Sequence, residues 1–122
     1  MEQHTLRMYL IVRQDLEIPF GKALGSAGHA FEGALEAADK LSPAEALIYR
    51  KVGNRKKIVL RIKTLAKLLA LRTKLEENTI PHHLVTDAGL TVFPEPTITF
   101  LAFGPVTEEQ GRELTKGLQL LQ

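Results

Sequence analysis

Two hydrophobic periods run through this chain of 122 residues. Met8-Tyr9-Leu10-Ile11-Val12 is continuously apolar, which predicts a strand from Leu6 to Arg13 buried on both faces. Gln14 to Phe20 is a polar loop closed by Pro19, which cannot join a ladder. From Lys22 to Lys40 the pattern turns helical, with Ala23, Ala27, Ala30, Ala34 and Ala37 as a stripe of small residues. Gly25 and Gly28 inside that helix cost up to ~1 kcal/mol each relative to Ala. They predict a close approach there, by the sheet or by a ligand.

The rest of the chain alternates in the same way. Ser42-Pro43-Ala44-Glu45 has the form of a capping box with Pro at the first helical position, opening a short helix to Lys51. Gly53-Asn54 is a turn, and Ile58 to Ile62 is the second strand. Thr64 to Asn78 is a helix with Leu65, Leu68, Leu69 and Leu75 inward. His82 to Thr86 is the third strand and Thr97 to Gly104 the fourth. Phe93-Pro94-Glu95-Pro96 between them is too short for a helical crossover, so these two strands run antiparallel. Thr107-Glu108-Glu109-Gln110 is a second capping box, starting a final helix with Leu114, Leu118 and Leu121 inward.

This order predicts an α/β fold with a parallel core and helices on its faces. The length suits one domain over residues 1–122, and no repeat or linker divides it. With no cysteine, disulfides, thiolate zinc sites and thiol nucleophiles are excluded. Met1-Glu2-Gln3-His4-Thr5 lacks the apolar core of a signal peptide, and no apolar run approaches the ~20 residues of a membrane span. The expectation is a cytoplasmic protein. His82 and His83, as strand neighbours, point to opposite faces, so they predict no metal site. The net charge of +2 permits nucleic-acid binding without requiring it. Cations concentrate at Arg50, Lys51, Arg55, Lys56 and Lys57, continuing to Arg61 and Lys63. That region suits either phosphate contact or a solvated strand guarded against aggregation.

Chemistry gathers at two strand ends. Lys22 follows the first strand and Asp87 the third. If those strands are parallel, both lie at the carboxyl edge of the sheet, where open α/β sheets bind ligands. Thr91 would bring a hydroxyl to the same edge. Lys22, Ser26 and His29 share one helix face at i, i+4 and i+7. A lysine in a first helical turn opposes the helix dipole, which points to a role beyond solvation. Asp15 and Glu17 precede the helix as partners for its dipole, for Lys22, or for solvent. Asp87 fits a catalytic carboxylate or a turn-forming Asx motif. His29 fits a general base or a packed structural histidine.

Three motifs carry a resemblance. Gly21-Lys22-Ala23-Leu24-Gly25-Ser26-Ala27-Gly28-His29-Ala30 resembles the Gly-Lys-x-Ala-Ala-Gln-x-Ser-His-Ala signature of the archaeal and eukaryotic type of peptidyl-tRNA hydrolase. Asp87-Ala88-Gly89-Leu90-Thr91 resembles that family's Asp-Ala-Gly-Arg-Thr, with Leu90 in place of Arg. Thr97 to Pro105 resembles its Thr-rich strand ending in Gly-Pro, preceded by Glu95-Pro96 where the family has Pro-Gly. Order and spacing match from about Leu6 to the C-terminus.

The resemblance implies a three-layer α/β/α fold on a four-stranded mixed sheet, ordered 2-1-4-3 with the fourth strand antiparallel. It implies hydrolysis of the ester between peptide and tRNA, without cofactor or metal, by a homodimer. Lys22, Asp87 and Thr91 would be the active residues, with His29 a further catalytic candidate. Asp87 would orient or deprotonate water, Lys22 stabilise the oxyanion, and Thr91 position water or substrate. Gly21, Ser26, Gly89, Arg50, Lys51, Arg55, Lys56 and Lys57 would contact substrate. Two other readings stand beside this one. One is an RNA-binding or regulatory domain of the same fold. The other is a hydrolase of a smaller ester or amide, suggested by the lost Arg.

Overall fold

The computed structural model describes residues 6–90 and 92–122. The N-terminal Met1–Thr5 segment and Thr91 lie outside the described residues. Strands β1 (Arg7–Arg13), β2 (Lys56–Ile62), β3 (His82–Asp87), β4 (Thr97–Val106) and β5 (Gln119–Leu120) form one sheet, ordered β3-β4-β1-β2-β5. β1 pairs parallel with β2, while β4 runs antiparallel to both β1 and β3. β1 and β3 therefore point the same way, although they never touch. The expected 2-1-4-3 order is present, with a fifth strand added at its outer side.

Alternation along the central strands builds two cores. Met8 and Leu10 of β1, with Phe100 and Ala102 of β4, face helices α1 (Phe20–Leu41) and α2 (Pro43–Lys51). Tyr9, Ile11, Leu101 and Phe103 face the opposite side, covered by α3 (Leu65–Glu77) and α4 (Glu108–Leu114). Each fully buried large apolar side chain contributes about 1.5–3 kcal/mol. Tyr9 stacks on Phe103 with ring centroids 5.0 Å apart. Tyr49 of α2 is buried and donates its hydroxyl to the carbonyl of Arg55 at 2.8 Å, tying α2 to the turn before β2. Burial of the phenol pushes its pKa up to about 12.

Several local expectations need correction. The final helix does not continue through Leu121. It ends at Leu114, the backbone turns at Gly117, and Gln119–Leu120 pairs with Leu60 and Arg61 of β2. Leu118 packs on the core, but Leu121 is 44 % exposed. β5 covers part of an edge that β2 would otherwise present to solvent. The Thr107 capping box forms, with Thr107 and Gln110 bonded reciprocally. The one at Ser42 does not. Ser42 closes α1 through its own N–H to Ala38 O at 2.7 Å and opens α2 with no side-chain cap. Leu71, outside the expected inward set, is buried on α3 beside Leu68 and Leu75.

The glycines of α1 divide differently from the expectation. A Cβ at Gly25 or Gly28 would meet nothing within 4 Å, so neither serves close packing on the sheet. Gly33 does. A Cβ there would lie 2.4 Å from Cγ of His83 on β3. Gly25→Ala and Gly28→Ala are expected to stabilise the fold by up to ~1 kcal/mol each through helix propensity. Gly33→Ala is expected to destabilise it by about 1–3 kcal/mol through overpacking. In a His83→Ala background the same change should become stabilising. Urea unfolding of the four single variants and the double variant checks the signs.

Candidate active site

Pro19, at φ −53°, ends the loop after β1 and lets α1 begin at Phe20. Lys22 therefore stands in the first turn, above the carboxyl end of β1. β3 ends at Asp87, at the same edge. Lys22 Nζ lies 2.8 Å from Asp87 Oδ1, and their side chains are 26 % and 16 % exposed. A first-turn cation opposes the helix dipole, whereas a carboxylate at that end is favoured by it. Asp87 thus answers the ammonium that the helix dipole disfavours.

The second carboxylate oxygen is also used. Asp87 Oδ2 accepts from the N–H of Gly89 at 2.9 Å. Gly89 has φ +82°, and a Cβ there would lie 2.4 Å from the backbone carbon of Glu95. Only glycine lets the chain turn this tightly against residues 92–96. The Asx turn posed for Asp87 forms, and the same carboxylate also holds Lys22. The Lys22 ammonium, then the Gly89 N–H, hold the Asp87 pKa below the ordinary carboxylate value.

The other candidates are spread out. Ser26 is half-buried one turn beyond Lys22, and Gly21 is exposed. His29 is exposed, seven residues and roughly 10 Å of helix axis from Lys22. Its ring stands edge-on to His83, with centroids 5.7 Å apart. Burial, then the neighbouring His29, pushes the His83 pKa down. Leu90 is 87 % exposed beside the Asp87 turn. Asp15 does not meet Lys22. It pairs with Arg13 at 2.7 Å, and Arg13 Nη1 also donates to Ile98 O at 2.9 Å. Arg13, which in the sequence is only the end of a strand, thereby fastens β4 to this edge. No group of three or more His, Asp or Glu side chains is placed to hold a metal among the described residues.

Arg50, Lys51, Arg55, Lys56 and Lys57 lie at the opposite edge, where β2 begins. A strand of seven residues puts them roughly 20 Å from the carboxyl edge. Arg50 is paired with Asp39 at 2.6 Å, and Arg55 Nε donates to Arg50 O at 2.9 Å. The Lys57 ammonium sits 5.4 Å from the Tyr49 ring centroid and 5.7 Å from that of Phe31. Three of the five cations are thus engaged with the protein itself. A cleft of about 810 Å³ between α3 and α4 is far from the Lys22–Asp87 pair and lined by Glu77, Glu109 and Glu113. Its three glutamates make it unsuited to a polyanion.

Comparison with known proteins bears on the chain as a whole. The profile of the peptidyl-tRNA hydrolase PTH2 family matches residues 6–121. The peptidyl-tRNA hydrolase of Methanopyrus kandleri is 35 % identical over 117 residues, covering 95 % of this chain and 98 % of its own. That of Thermococcus sibiricus is also 35 % identical, covering 94 % and 97 %. That of Haloquadratum walsbyi is 33 % identical, covering 94 % and 99 %. The match spans every strand and helix described above, and on it the chain belongs to the peptidyl-tRNA hydrolase PTH2 family.

Proposed function

We propose that this chain hydrolyses the ester joining a peptide to the terminal ribose of tRNA, with the Lys22–Asp87 pair as its reaction centre. The observation that carries this reading is the 2.8 Å contact between the two side chains at the carboxyl edge. Family membership supplies the substrate. Water adds to the ester carbonyl carbon, and the carbonyl oxygen takes the negative charge. The carbon–oxygen bond to the ribose then breaks, and the ribose oxygen takes a proton. The products are a peptide carboxylate and a tRNA with a free hydroxyl.

Asp87 serves this sequence as an anion that aligns the water and accepts its proton. Its low pKa makes it a modest base but keeps it ionised at every working pH. Lys22 follows the developing oxyanion, a partner that strengthens as charge builds. Thr91, outside the described residues, is assigned the positioning of water or substrate. Gly21, Ser26 and Gly89 would line the approach, and His29, two helical turns away, would meet substrate at its periphery. A single domain over residues 1–122 would carry the reaction, as a cytoplasmic homodimer. No helix among the described residues is long and apolar enough to cross a membrane.

Asp87→Asn tests the assignment in a peptidyl-tRNA hydrolysis assay. Asn retains an oxygen for the Gly89 N–H, so the fold and tRNA affinity should persist. Turnover should fall about 100- to 10,000-fold, the usual contribution of a general base. A folded variant with near-normal turnover would reduce Asp87 to a turn residue.

The pH profile gives a second check. The Asp87 pKa lies below its unfolded value near 3.8, so the ion pair's contribution to stability is fully present above that value. It is lost as pH falls through the lower, folded pKa. Activity should therefore show no acid limb from Asp87 above about pH 4. An acid limb in the imidazole range, around pH 6–7, would give proton transfer to a histidine instead.

A further inference from the structure

On the α3 side of the carboxyl edge, two adjoining clefts of about 350 and about 360 Å³ share Ile62, Lys67, Gly117 and Leu118. Five cations line them: Arg61, Lys63, Lys67, Lys74 and Lys116. No carboxylate lines either one. This is unusual in a chain with 16 basic and 14 acidic residues, where a random stretch of surface mixes both signs.

The charge here is also unspent. Elsewhere Arg13, Lys22, Arg50 and Arg112 each pair with a carboxylate within 3 Å. None of the five cleft cations makes an ion pair among the described residues. Arg61 donates to the neutral Gln119 side chain across the β2–β5 pair. The floor between them is apolar, with Ile62 and Leu71 buried beneath. Lysine stems lie along such a floor and hold their ammonium groups at its margins.

Position decides what this surface can serve. Lys63 directly follows β2, so the groove opens at the same edge as Asp87. β2 and β3 are separated by β1 and β4, three strand spacings or about 14 Å. From that rim the groove descends along α3, with Lys67 and Lys74 seven residues apart, about 10 Å. Lys74 and Lys116, at its far end, also border clefts lined by Glu109 and Glu113, so the acid-free stretch is the part at Arg61, Lys63 and Lys67. A row of cations without ion pairs, beginning at the reaction edge, matches a phosphodiester backbone. The cluster at Arg50 to Lys57 lacks both qualities, because it sits at the other edge and is partly committed to internal contacts.

We infer that the groove bearing Arg61, Lys63, Lys67, Lys74 and Lys116 is the track that holds the RNA backbone of the substrate while its ester lies at Lys22–Asp87. This rests on the proposed tRNA substrate. Neutralising a cation along the track frees the phosphate it held to keep its own counterion. Each phosphate released in this way lowers the salt slope of binding by about 0.7–0.9.

The test compares two triple variants with the wild-type chain. One is Lys63→Gln/Lys67→Gln/Lys116→Gln, and the other is Lys51→Gln/Arg55→Gln/Lys56→Gln at the opposite edge. Both change exposed side chains, and thermal melting verifies that each folds. Affinity for deacylated tRNA is measured between about 50 and 200 mM salt, the range over which phosphate binding is read. Affinity for polyglutamate is measured alongside, as is steady-state hydrolysis of peptidyl-tRNA. The groove variant is expected to lose about 2 to 3 from the salt slope. Its loss in hydrolysis should fall on KM rather than kcat, and the opposite-edge variant should change less in both.

A wild-type chain that releases no peptide while the groove variant shows the slope change supports the groove and overturns the proposed activity. Turnover by the wild type with a tRNA slope indifferent to the groove substitutions overturns the groove and leaves the activity standing. A larger loss in the opposite-edge variant overturns the groove too. So does a loss confined to polyglutamate, which would assign the surface to an acidic protein.

Discussion

Helix α1 packs tightly on β3 where Gly33 meets His83, and the same helix carries Lys22 to Asp87 at the strand's other end. At Gly33 the helix backbone lies against the His83 ring, so close that one added carbon would sit 2.4 Å from it. Three turns earlier along the same helix, Lys22 meets Asp87. One helix–strand interface thus holds a tight backbone packing contact near its middle and the ion pair at its carboxyl end. The sheet sets the strand directions. β4 inserts antiparallel between β1 and β3, so the two flanking strands point the same way and deliver their C-terminal residues to one rim.

Much of this was legible in the residues. A continuous apolar run marked β1, and the helical spacing of Leu65, Leu68, Leu69 and Leu75 marked the inward face of α3. The short Phe93–Pro96 connection fixed the antiparallel return. Lys22 and Asp87 could be placed at one edge from strand direction alone, because parallel strands share their C-terminal side. What stayed hidden was set by contacts between distant positions. Gly33 carries no local signal that separates it from Gly25 and Gly28. Only the strand lying across it gives its missing side chain a purpose. β5 is two residues long, too short for any period, and exists because Leu121 N–H finds the carbonyl of Val59 at 3.0 Å. Ser42 had the letters of a capping box, but it is shared between two consecutive helices: its N–H closes the first and its carbonyl opens the second, with no side-chain cap.

Charge behaved similarly. Arg50 to Lys57 is the densest basic run in the chain, and density along the chain drew attention to it. Folding pairs one member with Asp39, lays another over two aromatic rings and puts the run at the far edge of the sheet. Arg61, Lys63, Lys67, Lys74 and Lys116 are scattered in sequence and adjacent in space. Density along the chain is thus a poor measure of charge available to a polyanion, because a cation paired with a carboxylate is largely neutralised at the distances salt leaves unscreened, about 8–10 Å.

In the proposed mechanism Lys22 and Asp87 act as one unit on the reacting ester. The decisive measurement is a double-mutant cycle on kcat/KM for peptidyl-tRNA, using Lys22→Met, Asp87→Asn and the two combined. Residues that act together lose their function together. The double variant is therefore predicted to be no slower than the slower single variant, within about threefold. Losses that multiply would mean that the two side chains contribute separately, and that the ion pair is not a catalytic unit.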